Sequence, residues 1–172
     1  TVRNERIDDY TDEIQQKINI LQREKQFFHW ELEFPQVFMD ENGERKDNTG
    51  FDVILGNPPY LKEDVDKDIF RTLKLSDLKK YYQGKMDLWY FFASQSIDNI
   101  KNNGIHTFIT QNNWVTNDGS SLLRNKILSE TQIRLFFDFN DFKVFKDASI
   151  QTAIYSLVKT KTKSYALEYK KI

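Results

Sequence analysis

The chain has 172 residues, 39% hydrophobic and 15% aromatic, so it can bury a core and is not of the disordered class. Lys and Arg number 25 against 26 Asp and Glu, a net charge of −1, which is no overall basic signature of nucleic-acid binding. There is no Cys, which excludes disulfides and thiol chemistry and fits a cytoplasmic setting, and no apolar run reaches membrane-spanning length.

Residues 1–26 read as an amphipathic helix, with Ile7, Tyr10, Ile14, Ile18 and Leu21 recurring at steps of three and four among polar neighbours. Such a stripe lies on a core or a partner and carries no chemistry. Trp30, Leu32 and Phe34 then alternate with Glu31 and Glu33, which predicts a strand that Pro35 ends. The two carboxylates have only His29 nearby, so a structural role is expected rather than a metal or acid–base site. Residues 40–50 are polar, contain Asn42-Gly43 and predict a loop. Phe51, Val53, Ile54 and Leu55 form a short apolar run, as expected of a strand buried in a parallel sheet.

Beyond Tyr60, an acidic stretch from Glu63 to Asp68 leads into a helical turn around Ile69, Phe70 and Leu73. Ser76 can cap a second short helix ending at Tyr82. Lys74, Lys79 and Lys80 make this segment either a mobile flap over substrate or a solvated helical face. Asp87 is expected to cap a helix carrying Leu88, Phe91, Phe92 and Ile100, stopped at Asn103-Gly104. Ile105 to Thr110 predicts a second strand, and Gln111-Asn112-Asn113 puts three amides at its carboxyl end, the ligand edge of open α/β sheets. Ser120 can cap a helix with Leu122, Leu123, Ile127 and Leu128. Strands follow at Ile133 to Phe139 and at Thr152 to Lys159, the latter alternating as an antiparallel strand does, with Tyr165, Leu167 and Tyr169 in a last edge strand. Between them, residues 141–148 form a loop holding Phe145. This order describes an α/β fold, half of a doubly wound sheet.

The first strand ends in Gly56-Asn57-Pro58-Pro59-Tyr60. Gly56 permits a sharp turn, and the two prolines fix two φ angles and remove two N–H donors. Pro58 also pushes Asn57 out of helical geometry. The result is a stiff loop presenting one amide and one phenol. A planar amino group has two N–H donors; the Asn57 side-chain carbonyl and the Pro58 carbonyl are two acceptors for them. Tyr60 offers a face on which a base can stack, worth about 1–3 kcal/mol. The bland alternative is a turn capped by Asn beside a packed Tyr.

Asn57-Pro58-Pro59-Tyr60 resembles the catalytic motif of S-adenosylmethionine-dependent amino-methyltransferases, above all the adenine-N6 DNA methyltransferases. Phe28-His29-Trp30-Glu31-Leu32-Glu33-Phe34-Pro35-Gln36-Val37-Phe38 before it and Gly84-Lys85-Met86-Asp87-Leu88-Trp89 after it are similar to stretches of the type IIG restriction–modification enzymes and their relatives in phage defence. The likeness runs from about Phe27 to Lys159. It implies that residues 27–172 are the C-terminal half of a Rossmann-like class I methyltransferase domain, strands four to seven of its sheet, with the last antiparallel. The cofactor's glycine-rich loop is then expected upstream of Thr1 and a target-recognition domain downstream of Ile172; none of the 6 glycines stands in a Gly-x-Gly arrangement. The chain begins without Met inside a charged pattern, as expected of a piece of a longer protein.

The implied reaction moves a methyl group from S-adenosylmethionine to N6 of an adenine flipped out of double-stranded DNA. The implied catalytic residues are Asn57, Pro58 and Tyr60, with Tyr60 and Phe145 stacking on the base and Asn57, Pro59 and Phe92 touching the cofactor. No metal is implied. As an isolated fragment the chain is expected to be inactive, and to self-associate through the unpaired edge of the strand carrying Phe51 to Leu55. Phe92 and Phe145 are read equally well as core residues. Two other readings stand beside the first: a methyltransferase acting on a protein glutamine or an RNA base, and a non-catalytic scaffold segment.

Overall fold

The computed structural model describes residues 28–146, 150–161 and 164–172, and before them Ile14, Gln16, Lys17, Asn19 and Ile20. Those five are helical, and the remainder of the expected 1–26 helix lies outside the described residues. Strands β1 (Phe51–Gly56), β2 (Ile100–Gln111), β3 (Gln132–Asp138), β4 (Thr152–Val158) and β5 (Glu168–Lys171) form one sheet in the order β1-β2-β4-β3-β5. β1 is parallel to β2, β4 is antiparallel to both β2 and β3, and β5 is parallel to β3. The first four strands thus form the expected mixed half-sheet, with the late antiparallel strand inserted between β2 and β3.

From Trp30 on, five short α-helices are seen among the described residues: α1 (Trp30–Glu33), α2 (Pro35–Phe38), α3 (Lys67–Lys74), α4 (Trp89–Asn99) and α5 (Ser121–Glu130). α4 and α5 pack together and against β2 and β3. The core between them holds Trp89, Tyr90, Phe91 and Ile97 from α4 and Leu123 and Ile127 from α5. Ala153, Tyr155 and Leu157 of β4 alternate onto this face, as a pleated strand requires. Full burial of each large side chain contributes about 1.5–3 kcal/mol. His106 lies on the same face, fully buried against Phe108 and Tyr155, and burial pushes its pKa down to about 3, so it is neutral at ordinary pH.

The predicted strand at Trp30 to Phe34 is instead helical. Trp30 opens α1, Phe34 is the non-helical residue between the two helices, and Phe38 ends α2. All three close on Phe51 at the start of β1, with ring centroids 5.4–5.6 Å away. Pro35 does end the stretch: α1 stops at Glu33, Phe34 caps it, and Pro35 opens the separate helix α2, where its missing N–H costs nothing. Glu31 pairs with Arg45, consistent with a structural role. The predicted helix stop at Asn103-Gly104 is also displaced: α4 ends at Asn99, and both residues lie inside β2. Pairing jumps from Phe51↔Ile100 to Val53↔Ile105, so residues 101–104 bulge out, with Asn103 left-handed at φ 65°. Gly50 shows why the chain is tight there: at φ 122°, a Cβ would sit 2.5 Å from the Asn99 carbonyl oxygen.

Candidate active site

β1, β2 and β3 run in the same direction, so Gly56, Gln111 and Asp138 end at one edge of the sheet. The loop after β1 therefore stands beside the amides after β2 and beside the loop after β3. Asn57 is exposed, Pro58 buried, Pro59 exposed and Tyr60 half-buried. The Tyr60 hydroxyl lies 2.7 Å from Asn57 Oδ1 and 2.8 Å from the Ile109 carbonyl oxygen, its single proton shared between the two acceptors. Burial, then the charge of Asp87, raises the Tyr60 pKa to about 12, so the phenol keeps its proton and remains a donor. The Asn57 acceptor expected to be free is thus already engaged once. A carbonyl oxygen has a second lone pair, so room for one more donor remains.

The loop is held from behind by the Gly84–Trp89 stretch. Lys62 and Asp87 form an antiparallel bridge, with Leu88 N–H donating to the Leu61 carbonyl at 2.8 Å and Glu63 N–H donating to the Met86 carbonyl at 2.9 Å. Asp87 Oδ1 accepts the Leu61 N–H at 3.0 Å, one residue after Tyr60. Asp87 is only 4% exposed, and burial raises its pKa, moderated by the N–H groups of Leu61 and Trp89. Its predicted part as a helix cap is the lesser one: the Trp89 N–H is 3.5 Å away. This clamp was not anticipated, because nothing in either stretch alone shows that the two pair.

The edge continues past β2. Asn112 Nδ2 donates to Asp138 Oδ1 at 3.0 Å and its backbone N–H to Gln151 at 3.0 Å, tying β2, β3 and the entry to β4 together. Ser120 stands at the N-cap of α5, yet its hydroxyl shares its single proton between the Trp114 and Asn117 carbonyls. Gln83 Oε1 caps the helix in its place, accepting from Leu122 N–H at 2.6 Å and from the Ser121 hydroxyl at 2.8 Å.

A 710 Å³ cavity opens at this edge, walled by the segments 62–74, 85–90 and 111–117. Asn57 and Tyr60 do not line it; Lys62 and Asp87 join it to their loop. Lys62, Lys67, Arg71, Lys74 and Lys85 line it, as do the amides of Gln111, Asn113 and Asn117. Of the flap lysines only Lys74 reaches it, pairing with Glu63 at 3.2 Å, whereas Lys80 turns to Asp98 and Lys79 is solvated. Lys85 is left-handed at φ 52°. Gly119 presses on it so closely that a Cβ would lie 1.8 Å from the Lys85 carbonyl oxygen.

Phe92 is 45% exposed on the first turn of α4, between buried Phe91 and Ala93, so its ring is not a core residue. Phe145 is half-buried in the loop after β3, on the same edge as Asn57. Residues 147–149, next to it, lie outside the described residues.

These features define an open α/β sheet of the class I methyltransferase type. A Listeria monocytogenes structure described as a candidate class I S-adenosylmethionine-dependent methyltransferase superposes with a TM-score of 0.52 at 14% identity, over 77% of this chain and 40% of that one. A nuclease-deletion mutant of the Type ISP restriction–modification enzyme LlaGI, in complex with a DNA substrate mimic, gives 0.52 at 17% identity over 72% and 12%. The family description Eco57I restriction-modification methylase matches residues 1–145, and the chain belongs to that family. The Escherichia coli type II restriction enzyme and methyltransferase RM.Eco57I is 29% identical over 120 residues, 65% of this chain and 11% of the relative. The Haemophilus influenzae type II methyltransferase M.HincII is 27% identical over 117 residues, 67% of this chain and 23% of the relative. The chain therefore spans about a quarter or less of the curated relatives it matches.

Proposed function

We propose that the full-length protein transfers a methyl group from S-adenosylmethionine to N6 of a flipped adenine in double-stranded DNA, as a cytoplasmic restriction–modification or phage-defence enzyme of the type IIG kind. The observation that carries this reading is the exposed Asn57 amide at the carboxyl end of β1, oriented by the Tyr60 hydroxyl. Adenine N6 is a poor nucleophile because its lone pair is delocalised into the ring. Acceptors on its N–H groups return density to nitrogen as it becomes tetrahedral, and such contacts strengthen toward the transition state. Asn57 Oδ1 supplies one acceptor and the Pro58 carbonyl the other. Tyr60 holds the amide in the accepting orientation and stacks its remaining face on the base, with Phe145 opposite.

The residues present fit one end of the cofactor. In this reading the exposed Pro59, next to Asn57, and the Phe92 ring, 45% exposed on α4, offer apolar surface for its adenine. When bound, the group supplies an electrophilic methyl; this chain's residues orient the amino nitrogen and screen it from water. The family membership, the fold and the DNA complex of a structural neighbour support the reading without reaching adenine itself.

The test is Asn57→Ala in the full-length protein, assayed for methyl transfer to adenine-containing DNA. Removing one preorganised polar partner of a transition state costs about 10²–10³ in kcat. Stability is expected to hold, because Asn57 is exposed. An unchanged kcat overturns the assignment.

A further inference from the structure

We propose that the cavity beside the Asn57 loop is a seat for the sugar–phosphate backbone of the target DNA strand, with Lys62, Lys67 and Lys85 as its phosphate contacts. This rests on the DNA-methyltransferase reading and adds to it a place for the strand that carries the flipped base. The cavity lies on the same edge of the sheet as Asn57, and its wall residue Asp87 bonds the backbone directly after Tyr60. At 710 Å³ it exceeds what a single small anion fills and suits a nucleotide-sized ligand.

Charge singles it out. The chain as a whole is at −1, yet five cations line this one cavity against three carboxylates. Two of the carboxylates are withdrawn from its mouth. Glu63 accepts from the Tyr82 hydroxyl at 2.7 Å and pairs with Lys74. Asp87 is buried with Oδ1 turned to Leu61. Asp64 is the one that remains exposed. Arg71 is engaged by Asp68 at 2.9 Å and Lys74 by Glu63, whereas Lys62, Lys67 and Lys85 form no ion pair among the described residues. Lys85 is the most committed of them, its left-handed backbone pinned by the close approach of Gly119. Strained backbone of this kind is concentrated at functional sites. Gln111, Asn113 and Asn117 add amide groups of the sort that donate to phosphate oxygens.

The experiment compares two triple variants of the full-length protein by DNA affinity across a salt series. One is Lys62→Gln/Lys67→Gln/Lys85→Gln; the other, Lys79→Gln/Lys161→Gln/Lys171→Gln, removes three exposed lysines away from the cavity. Each phosphate contact contributes about 0.7–0.9 to the slope of log affinity against log salt, so the cavity variant should flatten that slope by about 2–3 and the control should leave it. An unchanged slope in the cavity variant, or an equal drop in both variants, overturns the proposal. Methyl transfer by the unaltered protein is measured on the same DNA. If it methylates adenine and the slope does not respond, the seat fails while the reaction stands. If the slope responds and adenine is not methylated, the reaction fails while the seat stands.

Discussion

At the scale of single residues, the contact between Tyr60 and Asn57 changes what each side chain is for. Read as residue types, Asn57 is an acceptor and Tyr60 a stacking surface, with the hydroxyl unused. In the folded protein the hydroxyl reaches both Asn57 Oδ1 and the Ile109 carbonyl, so it fixes which way the amide faces. Tyr60→Phe is therefore expected to lower kcat about tenfold, the value of one ordinary hydrogen bond of about 1–1.5 kcal/mol, with little change in DNA affinity. Tyr60→Ala loses the stack as well, a further about 1–3 kcal/mol, and should weaken the hold on the flipped base by about ten- to a hundredfold. Single-turnover methylation beside equilibrium DNA binding separates the two losses. Equal kcat for Tyr60→Phe and the unaltered protein would return the hydroxyl to a bystander.

Between elements, the pairing of residues 61–63 with residues 86–88 is what holds the loop in place. Asp87→Ala removes the acceptor for the Leu61 N–H in a buried setting, and an orphaned buried donor costs about 1–3 kcal/mol. Chemical denaturation should show that loss, and methyl transfer should fall further than stability does, because the freed segment follows directly on Tyr60. Loss of stability with unaltered transfer would show that the clamp serves the fold alone. This pairing also marks the limit of what the sequence made legible. Strands β1 to β5, α3, α4 and α5 were readable from apolar periodicity, because that signal is local, whereas the caps expected at Asp87 and Ser120 are not the ones the fold uses. Trp30 to Phe34 was not: with Pro35 beside it, period-two alternation over five residues looks the same whether it is strand or two helical turns packed on Phe51. The capping of α5 by Gln83, 38 residues away from Ser121, leaves no local mark either. The Asn57 loop was legible because prolines write their geometry into the sequence; the cavity was not, since its lysines come from scattered positions.

For the whole molecule, the sheet is unequally covered. α4 and α5 shield one face, whereas Leu55 is 74% exposed, Val53 49% and Ile105 39% on the other. β1 is also an edge strand among the described residues. Edges of this kind pair with other chains. The 172-residue chain on its own is therefore expected to self-associate, and light scattering should show mass rising with concentration. It should also hold S-adenosylmethionine feebly and transfer no methyl group, because in the proposed reading its residues reach one end of the cofactor only. Titration calorimetry tests this; micromolar binding by a monomer would mean that the cofactor site is built differently.

The bridge between Lys62 and Asp87 has a further consequence, for protein engineering. A loop whose shape is borrowed from a distant segment is not a portable cassette. Chimaeras that replace Asn57 to Tyr60 with a segment from another protein while leaving Gly84 to Leu88 behind would split a single mechanical part at its seam. The natural unit of exchange runs from β1 through the start of α4, residues 51–89, and carries both halves of the clamp together.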